Sequence, residues 1–122
     1  MAADGYLFRF ERLEVWQRAA DVVSPLGVVA DGLTERRFYR YAEQLRGAAL
    51  SISNNIAEGS GSNSTSDFRN FLNVAHRSTF ECANMLVVFR RNRWIPEENV
   101  PELLDELNQI CRMITGLSRS LE

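Results

Sequence analysis

The sequence contains no lysine and one histidine, His76, among its 122 residues. Metal sites built on paired histidines, including the di-iron carboxylate centres of some helical bundles, are therefore excluded. We expect His76 to be a surface or interface residue rather than a general base. The 14 basic residues are all arginine, and with 16 acidic residues they give a net charge of −2 at pH 7. That balance argues against a generally basic, nucleic-acid-coated surface.

The exclusive use of arginine has two readings. Arginine is the better bidentate partner for carboxylates and phosphates, which would suit nucleic acid. An arginine-biased genome explains the same composition without any ligand, and we favour that explanation.

Cysteine is also scarce, and long apolar runs are missing. Cys82 and Cys111 each lie among apolar residues at helical spacing, which predicts reduced core side chains rather than a disulfide or metal site. No apolar run approaches the roughly 20 residues that cross a bilayer. The start, Met1 to Phe10, lacks the basic and then apolar pattern of a secretory signal. We expect a cytoplasmic protein with no membrane contact, metal or cofactor.

The sequence offers little that supports catalysis. No phosphate-binding glycine motif occurs, and the glycine and serines of residues 60–62 lack the lysine of a phosphate loop. Ser51, Ser53 and Ser78 have no base nearby in sequence that would activate them. No catalytic residue is predicted, and an enzyme remains the weakest of three hypotheses.

Helical periodicity dominates what is present. Hydrophobic residues at 45% and charged residues at 25% are typical of a globular protein, and the length fits one domain, residues 1–122. Four amphipathic segments with short connections predict an all-α protein, an up-down-up-down antiparallel four-helix bundle. The predicted helices cover about Phe10 to Ala30, Glu35 to Glu58, Thr65 to Arg93, and Asn99 to Leu121.

Single residues mark the expected interruptions and ends of these helices. Pro25 removes a backbone hydrogen bond, so we expect a kink or break there. Gly59 is expected to end the second helix. Ser64 followed by Asp67 resembles a cap of the third helix, and Asn99 a cap of the fourth. The core seam of the third helix is predicted at Phe68, Phe71, Ala75, Ser78, Cys82, Met85 and Phe89.

The most unusual stretch runs from residue 44 to residue 59. Small side chains there allow another helix to approach closely, and polar residues interrupt the apolar face. A buried polar group is costly unless it is bonded, so we predict a structural polar network across the bundle, with a ligand site as the alternative. Arg46 paired with Glu81 or Glu58 would fix helix register. The predicted members are Arg46, Ser51, Asn55, Glu58, Ser78 and Glu81.

This stretch resembles the four-helix proteins encoded in intervening sequences of bacterial 23S ribosomal RNA. The matching motifs are Gln44-Leu45-Arg46, Ala48-Ala49, Ser51-Ile52 and Asn55-Ile56-Ala57-Glu58-Gly59, with Leu13-Glu14-Val15-Trp16, Phe68, Phe71-Leu72, Ser78 and Glu81. The resemblance implies a compact four-helix bundle without established enzymatic activity, and ring-forming homo-oligomers, expected to be pentamers. A similar bundle is the accessory protein of diversity-generating retroelements, where it partners a reverse transcriptase and RNA.

Self-association is the first functional hypothesis. The chain has more aromatic and small residues than one modest bundle can bury, and leftover apolar surface usually marks an interface. Phe80 and Val87 fall on the third helix away from its seam, so we predict that they form an oligomer interface. The simpler explanation is scattered surface aromatics, which are common.

Nucleic-acid binding, to RNA above all, is the second hypothesis. In the predicted bundle the start of the second helix and the end of the third meet, which gathers arginines with Trp94 and Tyr39 nearby for stacking. Acidic residues from the other two helices reach the same end and oppose this charge. A ring of subunits would present its arginines collectively, so the two hypotheses are compatible. The predicted contact residues are Arg36, Arg37, Arg40, Arg90, Arg91 and Arg93.

Overall fold

A computed structural model describes residues 5–122. The first four residues of the segment Met1 to Phe10, for which no secretory signal was predicted, lie outside the described part. Every regular element in that range is helical, which confirms the all-α prediction. A short 3-10 helix at Arg9–Arg12 precedes α1 (Glu14–Glu35), α2 (Tyr39–Ser60), α3 (Thr65–Arg91) and α4 (Val100–Ser120).

Helices that follow one another in the chain pack side by side, and α1 lies against α4 more loosely. Across the described residues, the diagonal pairs α1–α3 and α2–α4 make no close backbone approach. Arg46, near the start of α2, bonds Asp31 near the end of α1. Arg69, near the start of α3, reaches Glu122 just beyond α4. In each residue pair, the start of one helix meets the end of a neighbouring helix, as expected for antiparallel neighbours in a four-helix bundle.

One apolar cluster fills the centre of the bundle and draws on all four helices. Leu26, Leu45, Leu86 and Ile110 are fully buried, and each such side chain contributes about 1.5–3 kcal/mol on leaving water. The predicted seam of α3 lies in this core along most of its length, although its first two members, Phe68 and Phe71, are only half-buried. The buried members are Ala75, Ser78, Cys82, Met85 and Phe89.

Pro25 does not interrupt α1, which continues through it to Glu35. Pro25 is exposed, so water can hydrate the carbonyl that loses its intrahelical donor. On the opposite side Leu26, Ala30 and Leu33 are buried and hold the rest of α1 against the core. Tertiary packing therefore extends the helix past Pro25, and the break that the sequence allowed there does not occur.

Gly59 lies inside α2, and the prediction that it ends the helix is wrong. A Cβ at this position would lie 2.7 Å from Phe71 Cβ and 2.8 Å from Phe68 Cδ1. The missing side chain therefore lets the end of α2 approach the start of α3. The helix ends at Ser60, and Gly61 occupies the C-cap with a right-handed backbone conformation.

The helix ends agree only in part with the predicted caps. Ser64 Oγ accepts a hydrogen bond from the backbone N–H of Asp67 at 3.1 Å, which confirms the cap of α3. Asn99 precedes α4 as predicted, but its side chain makes no capping bond, because its backbone is left-handed with φ of 69°. Arg37 and Arg93, in the turns that follow α1 and α3, also have positive φ values of 67° and 61°.

Candidate functional site

Three members of the predicted polar network meet between α2 and α3. Ser51 Oγ and Ser78 Oγ are 2.8 Å apart and share a hydrogen bond. Asn55 Nδ2 donates to the Ser51 carbonyl at 2.8 Å and to Ser51 Oγ at 3.0 Å. Ser78 is buried and the other two are half-buried, so each bond contributes about 1 kcal/mol net. This cluster fixes the position of α2 along the axis of α3.

The remaining three members do not join this cluster. Arg46 donates to Asp31 Oδ1 at 2.8 Å, to Glu43 Oε1 at 3.1 Å and to the Thr34 hydroxyl, and the bond to Asp31 raises the pKa of Arg46. Arg46 and Ser51 are five positions apart, which is about 140° around the helix, so Arg46 faces α1 instead of α3.

Glu58 and Glu81, the partners predicted for Arg46, are both exposed. Among residues 5–122 neither carboxylate forms a hydrogen bond or an ion pair. The structure therefore leaves these two carboxylates on the surface and does not form the predicted ion pairs with Arg46.

An ion pair between α1 and α4 was not predicted. Arg18 donates to both carboxylate oxygens of Glu106, at 2.8 and 2.5 Å, and to Gln109 Oε1 at 2.7 Å. The bond to Glu106 raises the pKa of Arg18, and the same bond lowers the pKa of Glu106. The partners are 88 positions apart, so no local pattern in the sequence could have indicated the pair.

The predicted arginine contacts gather at one end of the bundle, where the turns after α1 and α3 meet. Arg36 Nη1 donates to the Arg93 carbonyl at 2.9 Å, and its guanidinium lies 5.0 Å from the Phe38 ring centroid. Arg90 is half-buried beside them, and the exposed members of the set are Arg36, Arg37, Arg40, Arg91 and Arg93.

The two aromatic residues predicted for stacking differ in their surroundings. Trp94 stacks on Tyr41 with ring centroids 4.8 Å apart, and it also contacts Phe38 and Phe89. Its ring is therefore engaged within the protein. Tyr39 is exposed at the start of α2 and offers the more accessible ring at this end.

Phe80 and Val87, the predicted interface residues, share one face of α3 two turns apart. Phe80 is 61% exposed, and its ring stacks on His76 with centroids 5.0 Å apart. Val87 is half-buried. The groove beside Phe80 is lined from α4 by Asn108, Cys111, Arg112, Thr115, Gly116 and Arg119.

A larger cleft lies between α1, the α3–α4 connection and the start of α4. This α1–α4 cleft has a volume of about 670 Å³. Its charged residues are Glu35, Glu98, Glu102 and Arg36. The other lining residues are Pro25, Val28, Val29, Gly32, Trp94, Ile95, Pro96, Asn99, Val100 and Leu103. Sequence reasoning missed it, since a gap between helices has no signature in either helix.

Both cysteines lie buried as free thiols. Burial raises the pKa of Cys82 to about 12, with a further contribution from the nearby charge of Glu81. Burial also raises the pKa of Cys111. Both thiols are therefore protonated at neutral pH and poor nucleophiles.

No three His, Cys, Asp or Glu side chains in residues 5–122 come close enough together to hold a metal ion. None of the helices in that range has the length and apolar character needed to cross a membrane.

Comparison with known proteins places this fold in a family. Residues 11–116 match the family model described as 23S rRNA-intervening sequence protein. The chain belongs to the 23S rRNA-intervening sequence protein family. The resemblance drawn from residues 44–59 and the motifs around them is thereby confirmed.

A solved structure shares the fold of this family member. It is the crystal structure of a protein with unknown function from the S23 ribosomal protein family of Bacteroides thetaiotaomicron VPI-5482. The TM-score is 0.80 with 21% sequence identity, over 85% of this chain and 97% of the other. At that identity the likeness establishes the shared four-helix fold alone. No curated protein matches the chain.

Proposed function

We propose that this family member is a non-enzymatic, homo-oligomeric assembly module, and that the α3 face with Phe80 and Val87 is its contact surface. The observation that carries the proposal is Phe80, a large aromatic side chain held 61% exposed on the middle of a long helix. Burying such a ring against a second copy would contribute about 1.5–3 kcal/mol. Asn108, Arg112 and Thr115 border it and would form a polar rim.

A second apolar site on the opposite side of the bundle supports a ring. Leu50 is 50% exposed and lies one turn after Arg46, on the side of α2 that faces α1. Phe80 lies on the side of α3 that faces α4. Contact between two different faces of successive copies is heterologous, the type of interface that closes cyclic rings. The pentamer implied by the family resemblance would be built in this way.

We also propose that the protein is cytoplasmic, and two chemical features support this location and the non-enzymatic role. The raised pKa values of Cys82 and Cys111 disfavour thiolate chemistry, and His76, the one histidine, is stacked on Phe80. Free thiols are also typical of proteins in a reducing compartment.

The test is the mass of the purified protein by light scattering after size-exclusion chromatography. We expect a multiple of the 13.9 kDa chain mass, five-fold for a pentamer. Phe80→Asp and Leu50→Asp should each disrupt the ring, and an equimolar mixture of the two should form dimers, because each variant keeps one intact face. Val74→Asp is the matched control, since Val74 is 40% exposed on α3 but about 120° away from Phe80. A monomeric wild-type protein across the micromolar range would contradict the proposal.

RNA binding is a second candidate, favoured by the contact between Arg36 and the Arg93 carbonyl that brings two arginine-bearing turns together. The measurement is fluorescence anisotropy with a structured RNA at low and physiological salt. Arg40→Ala with Arg91→Ala should weaken binding and lower the salt dependence by about 0.7–0.9 per lost phosphate contact. Arg69→Ala with Arg77→Ala removes the same charge elsewhere on α3 and should have less effect. No binding at low salt would exclude this function.

A further inference from the structure

The α1–α4 cleft is an accessible apolar trough that the assembly proposed above does not use. We infer that it is a docking groove for a segment of another protein, one that presents apolar anchor residues flanked by arginine or lysine. This inference concerns a different surface from Phe80 and Leu50. The docking groove and the self-association surface can therefore be tested independently.

The shape of the cleft favours an elongated occupant. Its lining extends along α1 from Pro25 to Arg36, about 16 Å at the rise of a helix. Across from α1, the wall is formed by the α3–α4 connection and the first turn of α4, with Ile95, Val100 and Leu103. A trough of this length and a volume of about 670 Å³ suits a helix of two to three turns laid along it, a common mode of peptide recognition.

The cleft is open because α1 carries little bulk on this side and packs loosely against α4. At Gly32, the space that a Cβ would occupy has no neighbouring atom within 4 Å. Val28, one turn earlier, is 66% exposed. The Val28 side chain would be buried only by a ligand that enters the cleft.

Charge at the rim selects the chemistry of the occupant. Three carboxylates, Glu35, Glu98 and Glu102, line the cleft with a single arginine, Arg36. The Arg36 guanidinium is already engaged by the Phe38 ring and the Arg93 carbonyl. The rim is therefore net negative and attracts cationic side chains. An acidic peptide or a nucleic-acid backbone placed in this cleft would be repelled by the same three carboxylates.

The probe is a synthetic amphipathic helix of about 14 residues, or ~21 Å, with leucine on one face and lysine on the other. The control peptide replaces every lysine by glutamate. Trp94 lines the cleft and is one of two tryptophans, so its fluorescence in a Trp16→Phe background reports binding directly. We expect the lysine peptide to change Trp94 emission saturably, with an affinity that falls as salt rises, and the glutamate peptide to have no effect.

Variants locate the binding site. Val28→Asp should abolish binding, and its exposure means that folding, checked by circular dichroism, should survive. Glu35→Gln, Glu98→Gln and Glu102→Gln together should weaken binding about tenfold, as expected for three exposed charge contacts. The matched control, Glu14→Gln with Glu58→Gln and Glu81→Gln, removes three exposed carboxylates elsewhere and should bind like wild type.

Several results would overturn this inference. They are no binding of the lysine peptide, equal binding of the glutamate peptide, or equal binding by the Val28 variant. Light scattering separates it from self-association: Val28→Asp should leave the oligomer mass unchanged, whereas Phe80→Asp should change the mass and keep peptide binding. A mass change in Val28→Asp without peptide binding would mean that a second copy covers the cleft.

Discussion

Replacing Gly59 by alanine tests the close approach of α2 and α3. Alanine is favoured over glycine within a helix by about 1 kcal/mol, so helix propensity alone predicts stabilisation. The added Cβ would lie 2.7 Å from Phe71 Cβ and 3.3 Å from the Phe68 carbonyl oxygen, atoms that move only with the α3 backbone. Overpacking of this kind costs about 1–3 kcal/mol, here near the upper end. We expect Gly59→Ala to lower the free energy of unfolding by about 2 kcal/mol.

The measurement is urea denaturation followed by circular dichroism. A Phe80→Asp background and a fixed protein concentration keep association from contributing to the stability. Gly47→Ala is the matched control in the same helix, since beyond the backbone around it no atom lies within 4 Å of its Cβ position. It should stabilise the protein by up to about 1 kcal/mol, so the two variants should differ by about 3 kcal/mol. If Gly59→Ala were as stable as Gly47→Ala, the steric argument would be refuted.

Three other predictions follow from the site geometry. Ser51→Ala should lower the free energy of unfolding, measured by urea denaturation, by about 1 kcal/mol. A double-mutant cycle with Ser78→Ala should show coupling between the two serines, and strictly additive effects would mean that their hydrogen bond contributes nothing. Glu106→Gln should destabilise the protein by about 0.5–1 kcal/mol at pH 7. Arg18 lowers the pKa of Glu106 in the folded protein below its ordinary value of about 4.5. The stabilisation is therefore present above that pH and disappears as the pH falls through the folded pKa. If Glu106→Gln and the wild type still differed in stability in acid, the ion pair with Arg18 would not be the cause. Cys82 should react with a thiol reagent at neutral pH only as fast as the protein opens, whereas fast labelling of the native state would disprove its burial.

The sequence could predict the helices because their periodicity is local information. The spacing of apolar residues in α3 identified most of its buried face, and Ser64 with Asp67 marked its start. Local chemistry was misleading where another helix decides the outcome. Gly59 reads as a helix end, yet the neighbours that require it, Phe68 and Phe71, belong to α3.

The same distinction explains the polar residues. Ser51, Asn55 and Ser78 could be grouped because small polar side chains on an apolar face point into a helix contact. The partner of Arg46 could not be chosen, because a long side chain about 140° away reaches a different helix. The Arg18–Glu106 pair depends on how α1 and α4 are placed, which no single segment encodes.

In the turns after α1 and α3, the arginine side chains add positive charge at positions where glycine would give a more stable backbone. Arg37 and Arg93 adopt left-handed backbone conformations in which a residue with a Cβ is less stable than glycine by about 1 kcal/mol. Glycine at either position should therefore make the fold more stable and, at the same time, remove a positive charge from the end where Arg36 and Arg93 meet. The arginine at position 37 and the arginine at position 93 therefore each add charge at the expense of conformational stability.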